Sequence, residues 1–374
     1  MDSAKFLKNV WYVAALDEEV SADKILSRII CGEAIAFYRT PEGEVVALED
    51  RCCHKSLPLH MGFVEGANLR CGYHGMLFNQ TGKCISIPGQ DVVPSNAQVK
   101  SYPVHSKQGW VWIWMGDKAL ADPANITDYH WLDAPGWGAK SAHIHVKANY
   151  RLVVENLLDL THLTYVHGRT IGNAAVIDDA KVDFALGERE VKVTRWMMDV
   201  PPPPSYVRAA GFEGNIDRWM IVHYAPPGFC RLYTGGADAG SGIREGKATH
   251  RMDWRNLNAV TPETETTSHY FWGQAQAHDP DNQAVTDLVF DQVRVTFLED
   301  LAIFEAQQET INRDPSRPVT RFVTKADAGG RHAMRVLDRL LAEQAEGKPA
   351  IVRPSDLRWG PDHRDVQEDE VVSA

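Results

Sequence analysis

The spacing of apolar positions changes along the chain. In the first third they come as short runs between turn residues. Ala34-Ile35-Ala36-Phe37-Tyr38 and Val45-Val46-Ala47-Leu48 flank Pro41-Glu42-Gly43, the pattern of a β-hairpin. Phe78 to Cys84, with Asn79 and Gly82, reads as a second turn, and Trp110-Val111-Trp112-Ile113-Trp114 as a strand buried on both faces. Further on, 140–151 and 181–200 read as strands and Pro201 to Pro204 as a loop or sheet edge. Gly235-Gly236 with Gly240 and Gly242 reads as a mobile loop. Apolar spacings of three and four predict helices over about 152–163, 283–312 and 330–346. Strands alone, then strands with helices, define an α+β chain. Asp117, Asp122-Pro123 and Asn125 mark a linker, with the domain boundary between 118 and 140. The segment from Pro354 is polar and acidic, the composition of a disordered tail.

The 374 residues suit two domains better than one. A net charge of −11 with no basic tract argues against nucleic acid or anionic membrane as a partner. No apolar run approaches the roughly eighteen residues of a membrane span, and Met1 to Lys5 lead into no signal-peptide core, so a cytoplasmic location is expected. There are six cysteines, too few for a disulfide framework in such a compartment, and four lie between positions 52 and 84.

Those four lie among histidines. Cys52-Cys53-His54 is followed, after 16 residues, by Cys71-Gly72-Tyr73-His74. Two thiolates and two imidazoles suit a tetrahedral zinc or a Rieske [2Fe–2S] centre. The tight punctuation by Pro58, Gly62, Gly75 and Gly82 and the long strand scaffold favour the Rieske centre. The sequence here resembles the Rieske non-haem iron oxygenases. Their first loop, C-P-H-R-x-x-P-L-S-x-G, is matched by Cys52 to Gly62, and their second, C-P-Y-H-G-W-x-F, by Cys71 to Phe78. The departures are Cys53, Lys55, His60, Gly72 and Met76, none at a ligand position. The resemblance and the spacing give Cys52, His54, Cys71 and His74 as cluster ligands, leaving Cys53, His60 and Cys84 to packing or support.

A Rieske centre passes single electrons, so an oxygenase needs a second metal. On a helix, Asn156, Asp159 and His162 fall at i, i+3 and i+6, on one stripe of an otherwise apolar segment. His167 lies about 140° from His162 on an ideal helix, so both reach one ion only if the helix ends or distorts between them. Farther on, Val289, Val293, Phe297, Asp300 and Phe304 form one stripe, with Asp300 inside it and Glu299 about 100° off it. His162, His167 and Asp300 together make a two-histidine, one-carboxylate triad for Fe(II). The resemblance points to the same three, through its D-x-x-H-x-x-x-x-H motif at Asp159, His162 and His167 and its late aspartate at Asp300. It implies that Asp159 bridges His162 to His74 of a neighbouring subunit, within a ring-shaped homotrimer, with Asn156 a weaker candidate beside the iron ligands. His143 and His145, two apart on a strand, are a competing pair. Ile171, Trp196, Trp219, His223 and Trp272 are candidates for a substrate pocket, though each fits a core better.

The run Asn156 to His162, the Val166-His167-Gly168 that follows and the chain length resemble the vanillate O-demethylase branch most. The resemblance implies a Rieske domain over 1–118, a helix-grip-like catalytic domain with an antiparallel sheet over 119–353 and a polar tail over 354–374. It implies an oxygenase component that uses dioxygen and takes electrons from NAD(P)H through a flavin and iron–sulfur reductase or a ferredoxin. The expected reaction is O-demethylation of a methoxylated aromatic acid. The alternatives are mono- or dihydroxylation of an aromatic ring, a non-catalytic electron carrier, and a structural zinc protein.

Overall fold

The computed structural model describes residues 5–320 and 322–348; the tail from Pro354 lies outside them. The N-terminal part is all β, in three small antiparallel sheets. One joins Val10–Leu16, Trp110–Met115 and Val104–Lys107. A second joins Leu26–Ile30, Glu33–Arg39, Val45–Glu49 and Ser101–Tyr102, and contains the hairpin closed at Pro41-Glu42-Gly43. The third joins Phe63–Glu65, Asn68–Arg70, Leu77–Phe78 and Cys84–Ser86. Every residue of Trp110–Met115 is buried. Trp110, Trp112 and Trp114 point into one core, Val111, Ile113 and Met115 into another, so a strand apolar on both sides divides two cores.

The C-terminal part is a seven-stranded antiparallel sheet with helices on one face. Its spatial order is Gly138–Val146, Ser268–Gln276, Arg251–Pro262, Phe229–Asp238, Ile216–Ala225, Val191–Val200 and Lys181–Leu186. The helices are α1 (Tyr150–Leu158), α2 (Leu163–Val166), α3 (Ala175–Asp178), α4 (Pro204–Ala210), α5 (Gln283–Arg313) and α6 (Ala328–Ala345). Met220, Val222, Trp254, Tyr270 and Trp272 share a core with the helices. Phe229, Tyr233, Leu257 and Phe271, on the other face, pack with Trp110, Trp112 and Trp114. Backbone bonds from Cys31 N to Pro262 O (2.8 Å) and from Gly32 N to Glu263 O (2.8 Å) also join the two parts. Helix α5 lies along the sheet with Val289, Val293, Phe297, Asp300 and Phe304 buried, as the stripe predicts. No helix among the described residues is long and apolar enough to cross a membrane.

Three local expectations are corrected. The strand expected over 140–151 stops at Val146, because Asn149 accepts a hydrogen bond from Arg151 N (2.9 Å) and caps α1. Gly235 and Gly236 lie inside a strand, not in a loop. A Cβ at Gly235 would sit 2.1 Å from Trp219 Cζ2 and 2.3 Å from Met252 O, so glycine there admits a close approach. The helix expected over 152–163 breaks after Leu158. Asp159 is extended (φ −111°, ψ 94°), and its carboxylate accepts from Thr161 N (2.9 Å) and Thr161 Oγ1 (2.7 Å). That local bonding competes with the helix ladder and starts a new turn, Leu160–His162, which runs into α2. Asn156, Asp159 and His162 therefore do not share one continuous helical stripe.

Candidate metal centres

The first centre sits on two loops, one leading from the second small sheet into the third and one within the third, and the loops repeat one design. Cys52 N donates to Leu57 O (2.9 Å) and Ser56 N to Cys52 O (3.0 Å); Cys71 N donates to Met76 O (2.8 Å) and Gly75 N to Cys71 O (3.1 Å). Ser56 (φ 57°) and Gly75 (φ 71°), at equivalent places, are both left-handed. Each loop thus turns its cysteine inward and its histidine outward: Cys52 and Cys71 are buried, His54 and His74 exposed. The two imidazoles lie 4.6 Å apart at 64°. The Cys52 thiol, beside that of Cys71, is pushed up to about 11, chiefly by burial, so binding a metal there releases a proton. Asp50 anchors the first loop, accepting from His60 Nδ1 (2.5 Å), His60 N (2.8 Å) and Ser27 Oγ (2.7 Å). His60 is thus a support, as its place in the sequence suggests. Cys53 is exposed, and Cys84 Sγ donates to Ser86 O (3.4 Å).

The four donors do not converge on one point. Among the described residues the only group of three or more donor atoms within 4.8 Å of one another is His162, His167 and Asp300. A tetrahedral zinc, with bonds of roughly 2.0–2.3 Å, needs four donors closer than that. Paired thiols and paired imidazoles fit a cluster of two irons, each held by one pair.

The second centre is built from the break after α1 and from α5. The turn Leu160–His162 and α2 place His162 and His167 at the two ends of one short helical turn, their rings 5.1 Å apart at 77°. Asp300 Oδ1 lies 3.1 Å from His167 Nε2 and 3.7 Å from His162 Nε2. Both Nδ1 atoms face acceptors: Asp159 O for His162 (2.6 Å) and Glu299 Oε2 for His167 (2.7 Å). Each ring is thereby set with its Nε2 lone pair toward Asp300. His167 Nε2 is buried with no hydrogen-bond partner, facing a carboxylate, an arrangement that a cation completes. Asn156 Nδ2 donates a long bond to Asp300 Oδ1 (3.5 Å). Burial lowers the His162 pKa. At His167 burial acts the same way, but the Asp300 and Glu299 carboxylates at its two ring edges outweigh it and raise the value.

Two site expectations shift. Within the chain it is the backbone carbonyl of Asp159, not its carboxylate, that meets His162. Glu299, set aside as lying off the stripe, reaches His167; its place next to a buried carboxylate was the available signal. Of the pocket candidates, Trp272 stacks on Phe290 (4.6 Å), Trp196 packs on Trp219 (5.7 Å), and His223 bonds Glu190 (2.8 Å), all core roles. The Ile171 carbonyl accepts from Arg218 Nη2 (2.9 Å). His143 meets His269 (3.1 Å) and Arg28 (3.3 Å), and His145 meets Glu263 (2.6 Å), so this pair serves the junction between the two parts.

An electron-transfer cluster domain joined to a buried two-histidine, one-carboxylate site is the plan of an oxygenase fed with electrons from outside. Sequence comparison agrees. Residues 10–103 match the Rieske [2Fe–2S] domain, and 146–343 match the vanillate O-demethylase oxygenase C-terminal domain. The chain is 43% identical over 345 residues to the iron–sulfur subunit of a toluene-4-sulfonate monooxygenase system from Comamonas testosteroni, covering 91% of this chain and 99% of that one. It is 40% identical over 354 residues to a vanillate O-demethylase oxygenase subunit from Pseudomonas sp., covering 93% and 98%. The crystal structure of dicamba monooxygenase bound to 3,6-dichlorosalicylic acid superposes with a TM-score of 0.83 at 29% identity, covering 91% and 99%. Another structure of that enzyme holds non-haem iron and dicamba. The chain belongs to the Rieske non-haem iron oxygenases, with the vanillate O-demethylase type of catalytic domain. Its cofactors are a Rieske [2Fe–2S] cluster and a mononuclear iron, and it is the oxygenase component of a multicomponent system.

Proposed function

We propose that this oxygenase removes the methyl group of a methoxylated aromatic acid. The observation that carries this reading is the convergence of His162, His167 and Asp300 in a chain that also has a Rieske domain. The relative named for vanillate supplies the substrate class. When bound, the cluster supplies single electrons and the ferrous iron a site for dioxygen. Cys52, His54, Cys71 and His74 hold the cluster; His162, His167 and Asp300 hold the iron, with Asn156 steadying Asp300. One oxygen atom enters a methyl C–H bond. The hemiacetal so formed breaks its C–O bond, releasing formaldehyde and the phenol. The other oxygen atom leaves as water, with two electrons from NAD(P)H and two protons.

The same reading divides the chain into a cluster domain (1–118), a catalytic domain (119–353) and a tail (354–374), in a cytoplasmic protein. Electrons come from a flavin and iron–sulfur reductase or a ferredoxin. The exposed edges of His54 and His74 favour a homotrimer in which the Asp159 carboxylate meets His74 of the neighbouring copy. A second reading, monooxygenation of an arenesulfonate, is favoured by the 43% identical relative.

The test supplies methoxybenzoates and arenesulfonates with reductase, NADH and labelled dioxygen. Demethylation predicts formaldehyde equal to NADH consumed and a phenol without label. Label retained in a product that has lost no carbon, with no formaldehyde, supports the second reading against the first.

A further inference from the structure

We propose that Glu299 is a positioning residue for the iron site, setting the His167 ring and tying the segment behind it to α5. The proposal rests on the iron-site reading above. Helix α5 brings two adjacent carboxylates to opposite edges of one imidazole: Asp300 Oδ1 lies 3.1 Å from His167 Nε2, and Glu299 Oε2 lies 2.7 Å from Nδ1. Neighbours on a helix are turned about 100° apart, so only one of the two can sit in the buried stripe. Asp300 does, its side chain 6% exposed, whereas Glu299 stands at the rim at 34%.

The two histidines are held by different devices. His162 Nδ1 faces the backbone carbonyl of Asp159, which no side-chain substitution removes. His167 Nδ1 depends on the Glu299 side chain. The ring is 1% exposed, so water is not at hand to replace that partner. Glu299 also accepts a long bond from Thr170 Oγ1 (3.5 Å), and Thr170 returns to His167 O through its N (2.9 Å) and Oγ1 (3.2 Å). One carboxylate therefore spans both the ring and the turn that follows it. An ionised acceptor strengthens the Nδ1–H bond, fixes the tautomer and makes Nε2 a better donor to a metal.

The test compares wild type, Glu299→Gln, Glu299→Ala and His162→Ala, stripped of mononuclear iron and titrated anaerobically with Fe(II). The readouts are iron affinity and the EPR signal of the ferrous nitric oxide adduct, with the Rieske EPR signal as the folding control. Glu299→Ala should weaken iron binding about ten- to a hundredfold and alter the adduct signal. Glu299→Gln, whose amide oxygen still accepts from Nδ1, should recover most of the affinity. Wild-type affinity with an unchanged adduct signal in Glu299→Ala overturns the proposal. So does a Glu299→Gln protein as weak as the alanine variant. If His162→Ala binds iron as wild type does, the iron-site reading fails instead, independently of Glu299.

Discussion

The two metal regions are built on opposite plans. The Rieske loops take their donors from positions 52 to 74, on paired turns at the surface, with buried cysteines and exposed histidines. The iron site takes its donors from positions 162 to 300, on two elements that meet in the interior, with His167 and Asp300 buried. An electron port must let a partner approach its outer edge, and an oxygen-activating site must control water. Exposure follows function in each region. The supports differ as well. The loops are held mainly by backbone hydrogen bonds, plus the Asp50–His60 pair, whereas the iron site uses side-chain supports, Glu299 on His167 and Asn156 on Asp300.

If the regions are separable, the largest effect comes from removing a cluster ligand. Cys71→Ser should abolish the Rieske EPR signal and turnover while the iron-site affinity for Fe(II) stays within about twofold of wild type. A parallel loss of Fe(II) binding would mean that the two sites fold as one unit.

A subtler probe uses the loops' internal likeness. Gly75 is left-handed, and an added Cβ would stand 2.9 Å from Pro88 Cγ; Ser56 holds the matching conformation with a side chain in place. Gly75→Ala should lower the stability of the cluster domain by about 1–2 kcal/mol, whereas Ser56→Gly should change it by less than about 1 kcal/mol. Thermal loss of the Rieske absorbance measures both. Equal effects would show that the two loops are not mechanically alike.

The smallest effect concerns the junction between the regions. His143 is held down to about 2 by burial first and then by Arg28, His269 and His145. His269 is held down to about 4 by burial and Arg28, with Glu263 opposing. Glu19, 4.0 Å from His143, and Phe271, stacked on it, complete the surroundings. In the unfolded chain both histidines take up a proton near 6.5, while the folded chain resists, so stability falls as pH drops below about 6.5. Denaturation at pH 7.5 and pH 5 should show that loss, and His143→Asn should reduce it. An unchanged pH dependence in the variant would remove His143 from the account.

The contrast also explains what the sequence could reveal. The cluster ligands were legible because they are contiguous and spaced by a turn geometry that tolerates little else. Asp300 was legible because α5 is long and regular, so one carboxylate within an apolar stripe stands out. Three features were not. The helix break at Asp159 arises from its side chain bonding to Thr161, a local competition that periodicity does not register. Glu299 acts across 132 positions of sequence, and only the tertiary fold, which sets α5 beside the end of α2, brings it to His167. Gly235 resembles a loop residue until Trp219 is seen to lie against it.

The central claim is that one chain holds two metal sites of different kinds, only one of which is needed to collect electrons. Iron content, Rieske EPR and formaldehyde release, measured together on wild type and His162→Ala, test it most directly. The account predicts about three irons per chain falling to about two, an unchanged Rieske signal and formaldehyde reduced to background. A variant that keeps its third iron, or that loses the Rieske signal along with turnover, would contradict it.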